Sequence, residues 1–143
     1  MIKLVPNLIG KGVKYPFVPN KSKGVSKNEW IDRINQSLSI IFSTSKGTRL
    51  MNPEFGSDIE KYRFDPFDNI LLDKLEVAIE KDIELWEPRI VLDNIEFNVD
   101  SSDIDNHILY ISIYYHIINS DVEGNYVYPY RLGTTPTYVN RNY

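Results

Sequence analysis

"ELWEPRIVL", residues 84–92, is where one hydrophobic period ends and another begins. Before it apolar residues recur every three or four positions, and behind it they alternate, so a helix must hand over to a strand here. Pro88 cannot continue a helix and disfavours the α region at the residue before it, so the helix stops by Glu87. A carboxylate at that point meets the partial negative charge of the last helical carbonyls and needs a cation to offset it. Arg89 is the nearest. The reading is an extended Glu87-Pro88-Arg89 segment whose two charged side chains share a face. Such a fork either clamps the monomer, with Glu87 or Arg89 paired to Arg49, Arg63 or a nearby acid, or it faces a partner.

Upstream, Leu71, Leu72, Leu75, Ala78, Ile79, Ile83 and Trp86 form one apolar stripe. They predict a helix over 66–86 with Asp65 as its cap, Pro66 in its first turn and Asp68 complementing the N-terminal charge. Residues 43–64, "STSKGTRLMNPEFGSDIEKYRF", follow neither period; Gly47, Pro53 and Gly56 mark turns, and Ser57 can cap a short helix reaching Tyr62. Farther back, Ser26 and Glu29 fit a capping box, and Trp30, Ile31, Ile34, Leu38, Ile41 and Phe42 give a second amphipathic helix ending near 43.

Downstream, Ile95, Phe97 and Val99 alternate with polar residues in a strand with one wet face. Residues 107–118 are mostly apolar or aromatic on both faces, as in a central strand covered at least partly on each side. Tyr126, Tyr128 and Tyr130 begin a third strand, and Pro129, lacking an amide donor, assigns it to an edge. The fold class is therefore α+β: two main helices packed on a small antiparallel three-stranded meander sheet. Its open edges are templates for another chain's strand.

A chain of 143 residues, 42% hydrophobic, supports one core, which is assigned to residues 26–132. Residues 1–28 carry six lysines and no acid, while the remainder has a net charge of −10. The segment 1–25 reads as a basic, extended arm, and residues 133–143 as a tail. The arm has no arginine, and the acidic body repels phosphates, which argues against nucleic acid. No stretch has the ~18 apolar residues of a membrane span, and the N-terminus lacks a signal-peptide pattern, so the expected place of synthesis and residence is the cytoplasm. The absence of cysteine removes disulfides and thiolate metal sites.

Catalysis finds little footing. Glu54, Asp58 and Glu60 are the candidates for the carboxylate pair of a cell-wall glycoside hydrolase, yet twenty acids make such a choice almost free. His107 and His116, an odd number of residues apart, fall on opposite strand faces and do not suit one metal. No nucleophile or phosphate-loop motif is present. No cofactor is expected. Eight of the ten tyrosines lie at or after residue 110, which suits either an interface or a half-exposed strand.

Gly47, Arg49, Met51, Pro53, Phe55 and Gly56 within "GTRLMNPEFG", followed by "WEPRI" at 86–90, resemble the small baseplate wedge family of contractile phage tails. That family is often labelled lysozyme-like and is related to contractile bacteriocins and to a type VI secretion baseplate component. The resemblance covers about residues 26–132. It implies a non-enzymatic assembly protein in the inner baseplate, in a virion tail or a bacteriocin particle assembled in the host cytoplasm. It implies that Glu87, Pro88 and Arg89 engage a helical core bundle of larger wedge proteins. It also implies that the C-terminal strands, with Tyr126, Tyr128 and Tyr130, contact the tail sheath subunit and start its polymerisation. Tail tube or hub proteins are further neighbours that the resemblance implies. The six residues of the first motif carry a structural role, and no role extends to the arm or tail.

Overall fold

The computed structural model describes residues 19–20, 24–25, 30–99 and 107–133. Two short strands, β1 (Pro19–Asn20) and β2 (Gly24–Val25), pair antiparallel. Both strands lie in the segment assigned to the N-terminal arm. Helix α1 spans Trp30–Ser43, a 3-10 turn Ile59–Tyr62, and helix α2 Asn69–Trp86. Strands β3 (Ile90–Asn98), β4 (Ile108–Ile117) and β5 (Glu123–Arg131) form an antiparallel meander in the order β3-β4-β5. The α+β architecture with a central β4 is as the hydrophobic periods require. The capping box at Ser26 and Glu29, the connection 100–106 and the residues after 133 lie outside the described residues.

Both helices and the inner sheet face share one core. From α1 come Ile34, Leu38, Ile41 and Phe42; from α2 come Leu71, Leu72, Leu75, Ile79 and Ile83; β4 contributes its odd-numbered residues, Leu109 to Ile117. Ile31, expected in the α1 stripe, is exposed. Helix α2 begins three residues later than expected. Asp68, with extended backbone, is its cap and accepts the Leu71 amide at 2.8 Å, so Pro66 stays outside the helix. Ser57 is the expected cap of the 3-10 turn, and its Oγ accepts the Ile59 amide at 3.3 Å, but Asp58 is the cap residue and makes no side-chain capping bond.

β3 begins at once after the junction, at Ile90, and carries a bulge between Leu92 and Asn94. The extra residue, Asp93, meets Nδ1 of His116 at 2.6 Å. β5 starts at Glu123, three residues before the tyrosines. Hydrogen bonds from Ile117 N–H to Val122 and from Leu132 N–H to His107 fix its register. Even-numbered residues of β5 therefore face β4 with their backbone groups, and Glu123, Asn125, Val127, Pro129 and Arg131 turn theirs to the other edge, which no strand among the described residues pairs. Pro129 occupies a position whose amide would have had no partner in the sheet.

Candidate functional site

The junction is a tight turn, which corrects the expectation of an extended segment. Glu87 caps α2 with φ −129° and ψ 65°, outside the α region as a residue before proline should be, and its amide still donates to Ile83 at 2.8 Å. The Ile90 amide donates back to the Glu87 carbonyl at 3.3 Å, closing the turn across Pro88 and Arg89. The turn brings the two charges closer than an extended chain would. Arg89 Nε and Nη2 donate to the two carboxylate oxygens of Glu87, a bidentate pair. This hydrogen bonding raises the Arg89 pKa against the effect of its burial.

The fork is therefore neither wholly inward nor wholly outward. Glu87 is 1% exposed, Arg89 keeps 26% of its side chain in solvent, and Pro88 stands exposed at the apex. The Arg89 carbonyl accepts the Ile118 amide at 3.0 Å, tying the turn to the end of β4. Arg49 and Arg63, the partners considered from sequence, are elsewhere: Arg63 donates to Glu60 at 2.8 Å, and Arg49 lies 4.5 Å over the Phe55 ring.

That second contact joins the two sequence motifs. Phe55 packs edge-on against Trp86 at 5.1 Å, and Trp86 is the last residue of α2 before Glu87. Arg49, Phe55 and Trp86 thus link the loop 47–56 to the Glu-Pro-Arg turn. Within the loop, the Gly47 amide donates to the Pro53 carbonyl at 2.7 Å, with Gly47 at φ +85°. Gly56 has φ +117°, and a Cβ there would lie 2.2 Å from the Thr44 carbonyl oxygen. Only glycine fits that place.

The loop's base is held by a buried network that sequence reasoning missed. Asp82, 1% exposed on α2, accepts from Ser57 Oγ at 2.5 Å and from Lys46 Nζ at 3.1 Å, and Lys46 also reaches Asp58 at 3.0 Å. Burial would lower the Lys46 pKa, but the bonds to Asp58 and Asp82 outweigh it and raise it. Lys61 and then Lys46 hold the Asp58 carboxyl below its usual range. Among the hydrolase candidates, Asp58 is thus paired, Glu60 is bound to Arg63, and Glu54 is exposed. The described residues contain no cluster of three or more His, Asp or Glu able to hold a metal, and no helix long and apolar enough to cross a membrane.

The β5 tyrosines face inward. Tyr130 is buried and donates to the Ile59 carbonyl at 2.7 Å; Tyr128 donates to the Phe42 carbonyl at 3.2 Å; Tyr126 stacks on Phe42 at 6.5 Å. Their rings secure β5 to α1 and the 3-10 turn. What β5 offers outward is its backbone edge.

Two helices on one face of a short antiparallel meander, joined to it by the Glu-Pro-Arg turn, give an α+β fold, and comparison with known proteins places it among the structural proteins of contractile-tail baseplates. The chain belongs to the family described as baseplate wedge protein gp25, whose model matches residues 29–122. It is 33% identical to the baseplate wedge protein gp25 of Enterobacteria phage T4 over 104 residues, 71% of this chain and 76% of that protein. A crystal structure of a putative tail lysozyme from Geobacter sulfurreducens superposes with a TM-score of 0.67 at 29% identity, covering 76% of this chain and 96% of that one. A chain of the anti-feeding prophage baseplate has the same fold, with a TM-score of 0.70 at 24% identity over 81% of this chain and 91% of its own. The family is one of structural baseplate proteins, and its T4 member is a baseplate wedge protein.

Proposed function

We propose that this chain is an adaptor within a contractile-tail baseplate. Its Glu87-Pro88-Arg89 turn docks onto a helical bundle of neighbouring wedge subunits, and the free edge of β5 receives a strand from the first sheath subunits. The observation that carries the reading is the closed Glu87–Arg89 pair: a buried carboxylate anchors an arginine whose guanidinium still reaches the surface beside an exposed proline. An arginine held by two hydrogen bonds loses little further freedom on docking. Of the six motif residues, Gly47, Arg49, Pro53, Phe55 and Gly56 act with Trp86 as its scaffold, whereas Met51 stands exposed. Strand addition at β5 draws its support from the backbone groups of Glu123, Asn125 and Val127, which face away from β4.

The experiment must separate docking from folding, because removing one partner alone strands a buried charge. In the double variant Glu87→Leu/Arg89→Met both charges go and packing volume stays, a replacement that is often neutral for stability. Co-expressed with the neighbouring tail proteins, the wild type should co-purify with wedge subunits, and the double variant should not, although its melting temperature stays within a few degrees. Undiminished capture by the folded variant would refute docking through this turn.

The hydrolase reading finds little support in two of its three candidates: a general acid needs a raised pKa, whereas Asp58 is lowered, and Glu60 is bound by Arg63. Purified protein should leave cell-wall substrate intact at high concentration; cleavage abolished by Asp58→Asn would restore the enzyme.

A further inference from the structure

Leu50 and Met51 are the most exposed large apolar residues among those described, at 91% and 101% of full exposure. Met51 also has φ +70°, a left-handed backbone that residues with side chains seldom adopt. Two separate costs, apolar area in water and backbone strain, therefore fall on adjacent residues. Neither side chain belongs to the core, so folding of the monomer does not account for either cost. Strain that persists without a structural return points to a use.

The loop that carries them is built to hold them still. Its neck is closed by the Gly47-to-Pro53 bond, its turn by the Phe55 amide on the Asn52 carbonyl at 3.2 Å, and its base by the Ser57 amide on the Thr44 carbonyl at 2.8 Å. Lys46 and Ser57, at the same base, both bind buried Asp82. A tip fixed in this way has little ordering entropy left to lose on binding.

We propose that Leu50 and Met51 form an apolar knob that inserts between two helices of the wedge bundle; this deepens the docking reading above and rests on it. A convex tip of one or two side chains needs a hole of matching size, which paired helices provide between their packed side chains. Methionine is unbranched and polarizable and adapts to an irregular hole. The loop is braced on the residue before the Glu-Pro-Arg turn, because Arg49 lies over Phe55 and Phe55 lies against Trp86. Arg49 and Glu54, both exposed, give the knob a rim of mixed charge around an apolar centre.

The test uses the full chain carrying Leu50→Ser/Met51→Ser, titrated against the purified wedge subunits, with a photo-crosslinking residue at position 51 in a second preparation. As a hot spot the knob should weaken binding by at least about thirtyfold when removed. The melting temperature should hold or rise, since no internal contact is lost. Crosslinks should fall on the apolar positions of heptad-patterned helices in another subunit. Wild-type affinity of the serine variant, a clear drop in its melting temperature, or crosslinks to a second copy of this chain would each overturn the knob. If the serine variant binds normally while Glu87→Leu/Arg89→Met does not bind, the knob alone fails; if both bind normally, the docking reading fails with it.

Discussion

Glu87 owes its tolerance to Arg89. Taking the arginine away leaves a carboxylate that is 1% exposed beside the carbonyls of a helix C-terminus. Arg89→Ala should therefore destabilise the monomer by about 3–5 kcal/mol, readable by urea denaturation, while the paired apolar replacement should not. Tyr115 makes a different residue-scale prediction. Burial, and then the charge of Glu87, push its pKa from 10 to about 12, and its hydroxyl donates to Asn35 at 2.7 Å. Between those values the unfolded chain has lost a proton that the folded chain keeps, so stability falls as pH rises. Its contribution is intact below pH 10 and disappears as pH climbs through about 12. Over two pH units the loss is about 2–3 kcal/mol. Tyr115→Phe, though less stable at neutral pH by a hydrogen bond, should show a shallower alkaline decline in melts run from pH 9 to 12. At this scale the sequence revealed which charges matter and not how they meet. Proline chemistry located the end of the helix, but whether Glu87 and Arg89 would point together or bind each other depended on a turn of four residues. The Asp82 network was hidden for another reason: Lys46, Ser57 and Asp82 are far apart in sequence, and a buried acid in a helix stripe looks like any surface acid.

Elements were more legible than contacts because hydrophobic period is a property of ten or more residues and survives local error. α1, α2 and the meander all follow from it. The boundaries moved where a cap or a turn decided them: Asp68, rather than Asp65, accepts the first free amide of α2, and β5 extends back to Glu123. The tyrosines of β5 were readable as a strand, yet their side chains serve the monomer, since Tyr128 and Tyr130 bond to backbone carbonyls of α1 and the 3-10 turn. Register then separates two proline substitutions one residue apart. The amide of Val127 faces the free edge, so Val127→Pro removes no bond of the ladder and should cost little stability. Tyr128 pairs with Ile111 through bonds that face β4, so Tyr128→Pro should cost about 3 kcal/mol or more. A matched loss of melting temperature in both would refute the assigned register. Only the first variant is useful for asking what joins the edge.

At the scale of the whole molecule, the junction precedes β3 on one side of the sheet, and the open edge of β5 lies on the other, with β4 between them. Neighbouring strands are about 4.8 Å apart, so the two surfaces are separated by the width of the sheet and share no side chain. Changes at such sites should act independently. This geometry suits a piece that joins two assemblies made in sequence, and it makes the order of failure a test. With Glu87→Leu/Arg89→Met the chain should be missing from purified baseplates, because it has nothing to dock with. With Val127→Pro it should be present in them in normal amount, and the particles should carry a tube but no sheath, because the next layer needs an edge that can donate. Electron microscopy of particles from each variant distinguishes these outcomes directly. Normal sheath on Val127→Pro baseplates would mean that the polymer starts elsewhere, and the adaptor would reduce to a wedge component with one working face.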